Sequence, residues 1–140
     1  MVRILVIYHS ISGHTEQMAK HVADGAVKAG AKAELKKVQD ATPQDLAGAD
    51  GVIIGSPTYY GTMAADVKKL IDESVCMHTK LHGKASGAFA SSANIGGGNE
   101  TTILDILKCL LVHGMVVQGD CKGGHYGPVA IGSPDKRSAD

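Results

Sequence analysis

Val2–Tyr8 (VRILVIY), running directly into His9–Thr15 (HSISGHT), is the stretch on which the fold turns. The first part is a β-branched run with almost no polar alternation, as in a strand buried on both faces of a helix-covered parallel sheet. The second part reads as a polar turn. From Thr15 to Ala29 the apolar residues Met18, Val22 and Ala26 recur at i, i+4 and i+8, and Gly30 is placed to stop a helix. A buried strand entering a helix through a short polar loop is the first half of a βαβ unit.

The rest of the chain repeats that alternation. Ala31–Val38 alternates weakly and reads as an edge strand guarded by lysines, and Thr42-Pro43 caps a short helical turn. Gly51–Gly55 (GVIIG) is a second buried strand, and Met63–Ser74 carries Met63, Val67, Leu70 and Ile71 on one helical face. Ala85–Ser91 is a strand of small residues. Asn99 is placed to cap a helix over Glu100–His113, Met115–Gln118 is a fifth strand, and Val129–Ile131 is a short extension. No repeat, linker or boundary interrupts the pattern. It predicts one doubly wound α/β domain over residues 1–140 with a parallel sheet.

Composition narrows the function. Fourteen basic and fourteen acidic side chains cancel, which argues against a nucleic-acid partner. No apolar run reaches a membrane-spanning length of about 18 residues, and three cysteines without CxxC spacing suit a reducing compartment. A cytoplasmic location is expected. Eighteen glycines in 140 residues exceed the usual share of about 7%, so the backbone must turn tightly at several places.

In doubly wound sheets ligands bind beyond the carboxyl ends of the strands. This directs attention to residues 9–15, 56–62, 92–99 and 119–128, where much of the glycine lies. Ser10-Ile11-Ser12-Gly13-His14-Thr15 joins a buried strand to a helix start, whose free N–H groups and dipole attract an anion. The hydroxyls of Ser10, Ser12 and Thr15 add donors. The loop holds no Lys or Arg, which suits one phosphomonoester better than a polyphosphate.

Other strand-loop-helix chemistries lack their residues. There is no GxxxxGK[ST], no GxGxxG around Gly96–Gly98 and no GxSxG. His9 and Ser56 stand where a phospho-receiver needs carboxylates, and the loop after the first strand has no thiol nucleophile.

Four segments together carry a resemblance. Tyr8–His14, Gly55–Gly61 (GSPTYYG), Gly96–Glu100 (GGGNE) and His113–Val116 (HGMV) stand in order at strand and helix ends. The chain resembles the flavodoxin-like FMN proteins, and among them the WrbA-type NAD(P)H:quinone oxidoreductases, from residue 2 to about 133. The resemblance implies a five-stranded parallel sheet in the order 2-1-3-4-5. It implies that Ser10, Ile11, Ser12, Gly13, His14 and Thr15 hold the FMN phosphate. Pro57, Thr58, Tyr59, Tyr60, Gly61 and Thr62 would wrap the ring system, and Ser92, Ala93, Asn94, Ile95, Gly96 and Gly97 would line its pyrimidine edge. His113 would be a catalytic histidine near the flavin, at a subunit contact, assisting proton delivery.

The implied activity is two-electron transfer from NAD(P)H to a quinone or similar acceptor. A one-electron carrier and a flavin-binding module without turnover are the alternatives. Neutral charge disfavours the carrier, since such carriers steer by acidity. The chain departs from the family by lacking tryptophan and the long insertion between the second and third strands. The family sheet also closes with a helix after the fifth strand, whereas here Pro134–Asp140 falls where that helix should begin. The last helix is expected to be missing, and either a homo-oligomer covers the exposed sheet face or the chain is truncated.

Remaining residues with chemistry have simpler readings. Cys76, His78 and His82 lack a fourth ligand and read as a solvated loop, so no metal is expected. Cys109 sits on an apolar helix face as core filling. Cys121 has no activating base beside it. His125 and Tyr126 resemble a closing family segment and could touch substrate.

Overall fold

In a computed structural model, which describes residues 1–134, β1 (Arg3–Tyr8) is an interior strand of a parallel sheet. It pairs with β2 (Lys32–Lys37) on one side and β3 (Gly51–Pro57) on the other, and β3 pairs with β4 (Ala85–Ser92). With β5 (Val116–Val117) beside β4, the order is β2-β1-β3-β4-β5, as the resemblance implies. The helices are α1 (His14–Lys28), α2 (Pro43–Gly48), α3 (Ala65–Glu73) and α4 (Asn99–Val112).

The strand alternation explains why the VRILVIY run must be apolar throughout. Leu5 and Ile7 point into a core shared with Val52, Ile54, Val67, Leu70, Ile103 and Ile106, which lies under α2, α3 and α4. Val6 and Tyr8 point the other way, into a smaller core with Met18 and Ala19 of α1 and with Phe89. Gly55 makes room for that phenyl ring, because a Cβ there would collide with it.

The edge lane beyond β4 differs from the sequence expectation. β5 pairs only with Ala85–Ser86, while β6 (Val129–Ile131) pairs in parallel with Ala90–Ser92. The predicted fifth strand and its extension are thus two pieces of one interrupted strand, and residues 118–128 loop out between them. Glycines 119, 123, 124 and 127 and Pro128 break the ladder there. Among the described residues no helix follows β6. The expectation of a missing closing helix falls on residues 135–140, outside the described residues.

The Thr42 cap is as expected. Its Oγ1 accepts from the Asp45 N–H, and Asp45 accepts from the Thr42 N–H in a capping box. The start of α4 is not. Gly98, at φ +106°, occupies the cap position, and Asn99 is the first helical residue with its side chain turned inward. Asn99 Nδ2 donates to Ser92 Oγ at 2.9 Å, which ties the helix to the end of β4 instead of capping it.

Candidate functional site

The carboxyl ends of β1, β3, β4 and β6 converge on one pocket of about 430 Å³, within the range of cofactor sites. Its walls come from Ser10, Ile11, Ser12, His14 and Thr15 after β1, and from Pro57, Thr58 and Tyr59 after β3. Ser91, Ser92 and Ala93 of the β4 end and Gly132 after β6 complete it.

One end is built for an anion. Gly13 caps α1 at φ +93°, a conformation that favours glycine, and its N–H donates to Ser10 Oγ at 3.1 Å. Ser10 Oγ is the acceptor there, so its own proton remains available to a ligand. α1 is 15 residues long and presents its free first-turn N–H groups and positive dipole end beside these hydroxyls. Thr15 Oγ1 lies 2.8 Å from Ser91 Oγ, both buried, which fixes the helix start against the sheet. No Lys or Arg lines the pocket. A donor set of neutral hydroxyls and amides fits a single phosphomonoester and not a polyphosphate.

The other end is a rigid aromatic wall. Tyr59 and Thr62 exchange backbone hydrogen bonds at 2.9 and 3.2 Å, with Tyr60 (φ +51°) and Gly61 (φ +79°) as central residues of the tight turn. The turn is fastened to α4: Thr101 Oγ1 donates to the Gly61 carbonyl and Thr62 Oγ1 to Asp105 Oδ2, both at 2.6 Å. The neighbouring Lys108 ammonium, with the Thr62 hydroxyl second, holds the Asp105 carboxyl below its ordinary range. Apolar wall and hydroxyl-and-amide floor together suit a flat ring carrying an anionic arm.

The pocket holds only part of the predicted set. Tyr60 is fully exposed, because the left-handed turn points it into solvent. Gly13, Gly61 and Thr62 act as backbone and as ties to α1 and α4 rather than as walls. Asn94, Ile95, Gly96 and Gly97 form an exposed loop tip, closed by a Gly97 N–H to Asn94 carbonyl bond at 3.1 Å. Ser91 and Gly132 line the pocket without having been predicted. Ser91 sits inside the strand pattern, and Gly132 follows a strand piece whose lane only tertiary pairing reveals.

Within one chain His113 does not line the pocket, and the resemblance sets it at a subunit contact. It follows α4, which starts at the pocket side and runs 14 residues, about 21 Å, toward the amino ends of the strands, where Val116 pairs with Ala85. There it is buried, its Nε2 2.8 Å from Ser74 Oγ. The Ser74 proton goes to the Ile71 carbonyl, so Nε2–H is the donor and Nδ1 is left as a bare acceptor without a partner among the described residues. Burial first, then the nearby His78, pushes its pKa down.

The other singled-out residues also lie elsewhere. Tyr126, in the 118–128 loop, lines a separate groove on the α1 face, and His125 next to it does not reach the pocket. Cys76 and Cys121 are exposed, and burial pushes the Cys109 thiol up, which makes it a poor nucleophile. No group of three His, Cys, Asp or Glu side chains able to hold a metal is found among the described residues. No helix among them is long and apolar enough to cross a membrane.

Comparison with known proteins agrees with this geometry. A family model described as a flavodoxin domain matches residues 5–103. An NAD(P)H dehydrogenase (quinone) of Archaeoglobus fulgidus is 35% identical, over 96% of this chain and 88% of its own length. A protein of the same name from Sinorhizobium fredii is 39% identical over 85% of this chain and 71% of its own. Among solved structures, a flavodoxin, WrbA-like protein from Agrobacterium tumefaciens superposes with a TM-score of 0.83 at 29% identity, covering 99% of this chain and 88% of that one. Oxidised flavodoxin 1 from Bacillus cereus, at a TM-score of 0.81 and 21% identity, covering 98% of this chain and 89% of its own, shares the fold.

Proposed function

The chain belongs to the flavodoxin domain family, beside proteins named NAD(P)H dehydrogenase (quinone), and from that premise we propose that it binds FMN and reduces quinones with NAD(P)H. It is a flavin-binding oxidoreductase of the NAD(P)H:quinone type. The observation that carries the finer reading is the pocket itself: an anion cradle without fixed positive charge at one end and a fastened aromatic wall at the other.

In this proposal Ser10, Ser12, Thr15 and the first-turn N–H groups of α1 hold the phosphate. Pro57, Thr58 and Tyr59 face the ring on one side, and Ser92 and Ala93 stand at its other edge. The bound flavin supplies the capacity to take a hydride from a nicotinamide and pass two electrons to an acceptor. The residues orient the ring and leave the exposed Ala93–Gly97 side open for the donor and acceptor molecules. Neutral charge weighs against the one-electron-carrier alternative.

Two further expectations belong to the same proposal. The protein works in the cytoplasm. It also forms a homo-oligomer, with a second copy seated on a groove of about 680 Å³ on the α1 face, lined by Val22, Ile53, Phe89 and Tyr126. A doubly wound sheet buries both faces, yet Ile53 and Gly87 stay partly exposed there beside exposed Val129. A monodisperse monomer in light scattering would contradict the oligomer. Steady-state oxidation of NADH and NADPH with benzoquinone, using FMN-loaded protein, tests the activity. Turnover is expected. Its absence, together with a stable one-electron-reduced state on photoreduction, would favour the carrier.

A further inference from the structure

His9 follows β1 directly and is 7% exposed, yet it does not line the pocket. Its ring meets Tyr59 edge-on, with centroids 6.1 Å apart and planes at 81°. Segments far apart in sequence hold it from behind. His9 Nδ1 is 3.2 Å from Gln39 Nε2 and 3.4 Å from Asp66 Oδ2, and Gln39 Nε2 also donates to Asp66 Oδ2 at 3.0 Å.

That triangle restricts the imidazole. With the neutral ring, the Gln39 amide gives one proton to Asp66 and the other to His9 Nδ1, which places the ring proton on Nε2. With the charged ring, Nδ1–H faces the Asp66 carboxylate directly. In both states the ring is held from its Nδ1 side and cannot turn away from Tyr59. The backbone of Tyr59 is meanwhile fixed by the turn that Thr101 and Thr62 tie to α4.

We propose that His9 is a positioning residue: braced by Gln39 and Asp66, it sets the plane of the Tyr59 ring and so shapes the aromatic wall for the ligand's flat ring. The inference rests on the flavin reading of the pocket. It adds a determinant outside the pocket lining that acts only through Tyr59. Holding that ring in place before binding removes an ordering cost that the ligand would otherwise meet. The other charged groups beside the brace are Lys69 and Glu73 of α3, which share a small cleft with Gln39 and Asp66.

The test is a double-mutant cycle read with riboflavin, which carries the ring without the phosphate, and in parallel with FMN. His9→Gln is expected to weaken riboflavin affinity about 3- to 10-fold, the range of a lost aromatic pair. It should have no further effect in a Tyr59→Leu background. Additive losses would overturn the proposal.

A second readout needs no flavin. The Tyr59 ring proton resonances of ligand-free protein should shift toward free-tyrosine values in His9→Gln, and unchanged resonances would overturn the proposal. Asp66→Asn, at a side chain 49% exposed, is expected to move the same resonances less far. It decides the matter if His9→Gln does not fold, since unmoved resonances there also count against the brace. If wild-type protein binds neither probe, the flavin reading fails, while the resonances still decide what His9 does to Tyr59.

Discussion

Thr15 Oγ1 and Ser91 Oγ stand 2.8 Å apart across 76 positions of sequence, so one buried hydroxyl pair joins the start of α1 to the end of β4 at the pocket floor. Removing one partner leaves the other buried and unsatisfied, at a cost of about 1–3 kcal/mol. Thr15→Val should therefore lower the unfolding free energy by that amount, with a correspondingly lower denaturant midpoint. The double variant Thr15→Val/Ser91→Ala should lose less than the sum of the singles. Chemical denaturation of the three variants checks this, and strict additivity would show that the hydroxyls do not act as a pair.

Ser10 carries the discrimination between phosphate and ring. Its Oγ already accepts from Gly13, so the proton it offers outward is the one a phosphate would take. Ser10→Ala should weaken FMN binding about tenfold, the worth of one charge-assisted hydrogen bond, and leave riboflavin binding unchanged. Equal losses for both ligands would mean the variant had deformed the whole pocket.

Gly98 tests the fastening of the Tyr59 turn. It has φ +106°, and a Cβ there would stand 3.0 Å from Gly61 Cα and 3.2 Å from Thr58 Cγ2. Gly98→Ala combines left-handed strain with that crowding, so a stability loss of about 1–2 kcal/mol is expected together with weaker riboflavin binding. A variant as stable and as tight-binding as wild type would show that the turn is not held where the structure has it.

The buried strands and the hydroxyl-rich loop before α1 were readable because both rest on local signals, whereas the strand order came only from the family resemblance. VRILVIY announces a strand buried twice over, and a hydroxyl-rich loop before Thr15 announces a helix start. The interrupted edge strand was not readable, since two and three residues have no periodicity of their own and only pairing with β4 puts them in one lane. The exposure of Tyr60 was not readable for a related reason. The motif puts it beside Tyr59, but with left-handed backbone its side chain stands fully exposed while Tyr59 lines the pocket. His9 went unnoticed as a brace because Gln39 and Asp66 reach it from segments that only the folded chain brings together. Where His113 lies relative to the pocket was not readable, because its motif carries no information about which end of the sheet a 14-residue helix finishes at.

His113 also gives the protein a pH signature. Its pKa is pushed down in the folded state, chiefly by burial, relative to an unfolded value near 6.5. A group depressed in this way contributes stability above the unfolded value, and that contribution is lost as pH falls through the folded one. The melting temperature should thus decline on acidification below about 6.5. His113→Gln, which keeps a donor for Ser74, should flatten that part of the profile. Parallel profiles for the two proteins would place the acid sensitivity elsewhere.

The central claim is that the pocket at the ends of β1, β3 and β4 holds FMN by its phosphate. Titrating FMN with the protein and following flavin fluorescence tests it most directly, with inorganic phosphate as competitor. Saturable quenching at one FMN per chain, weakened as phosphate is added, is expected. Fluorescence that stays unquenched at a molar excess of protein would contradict it.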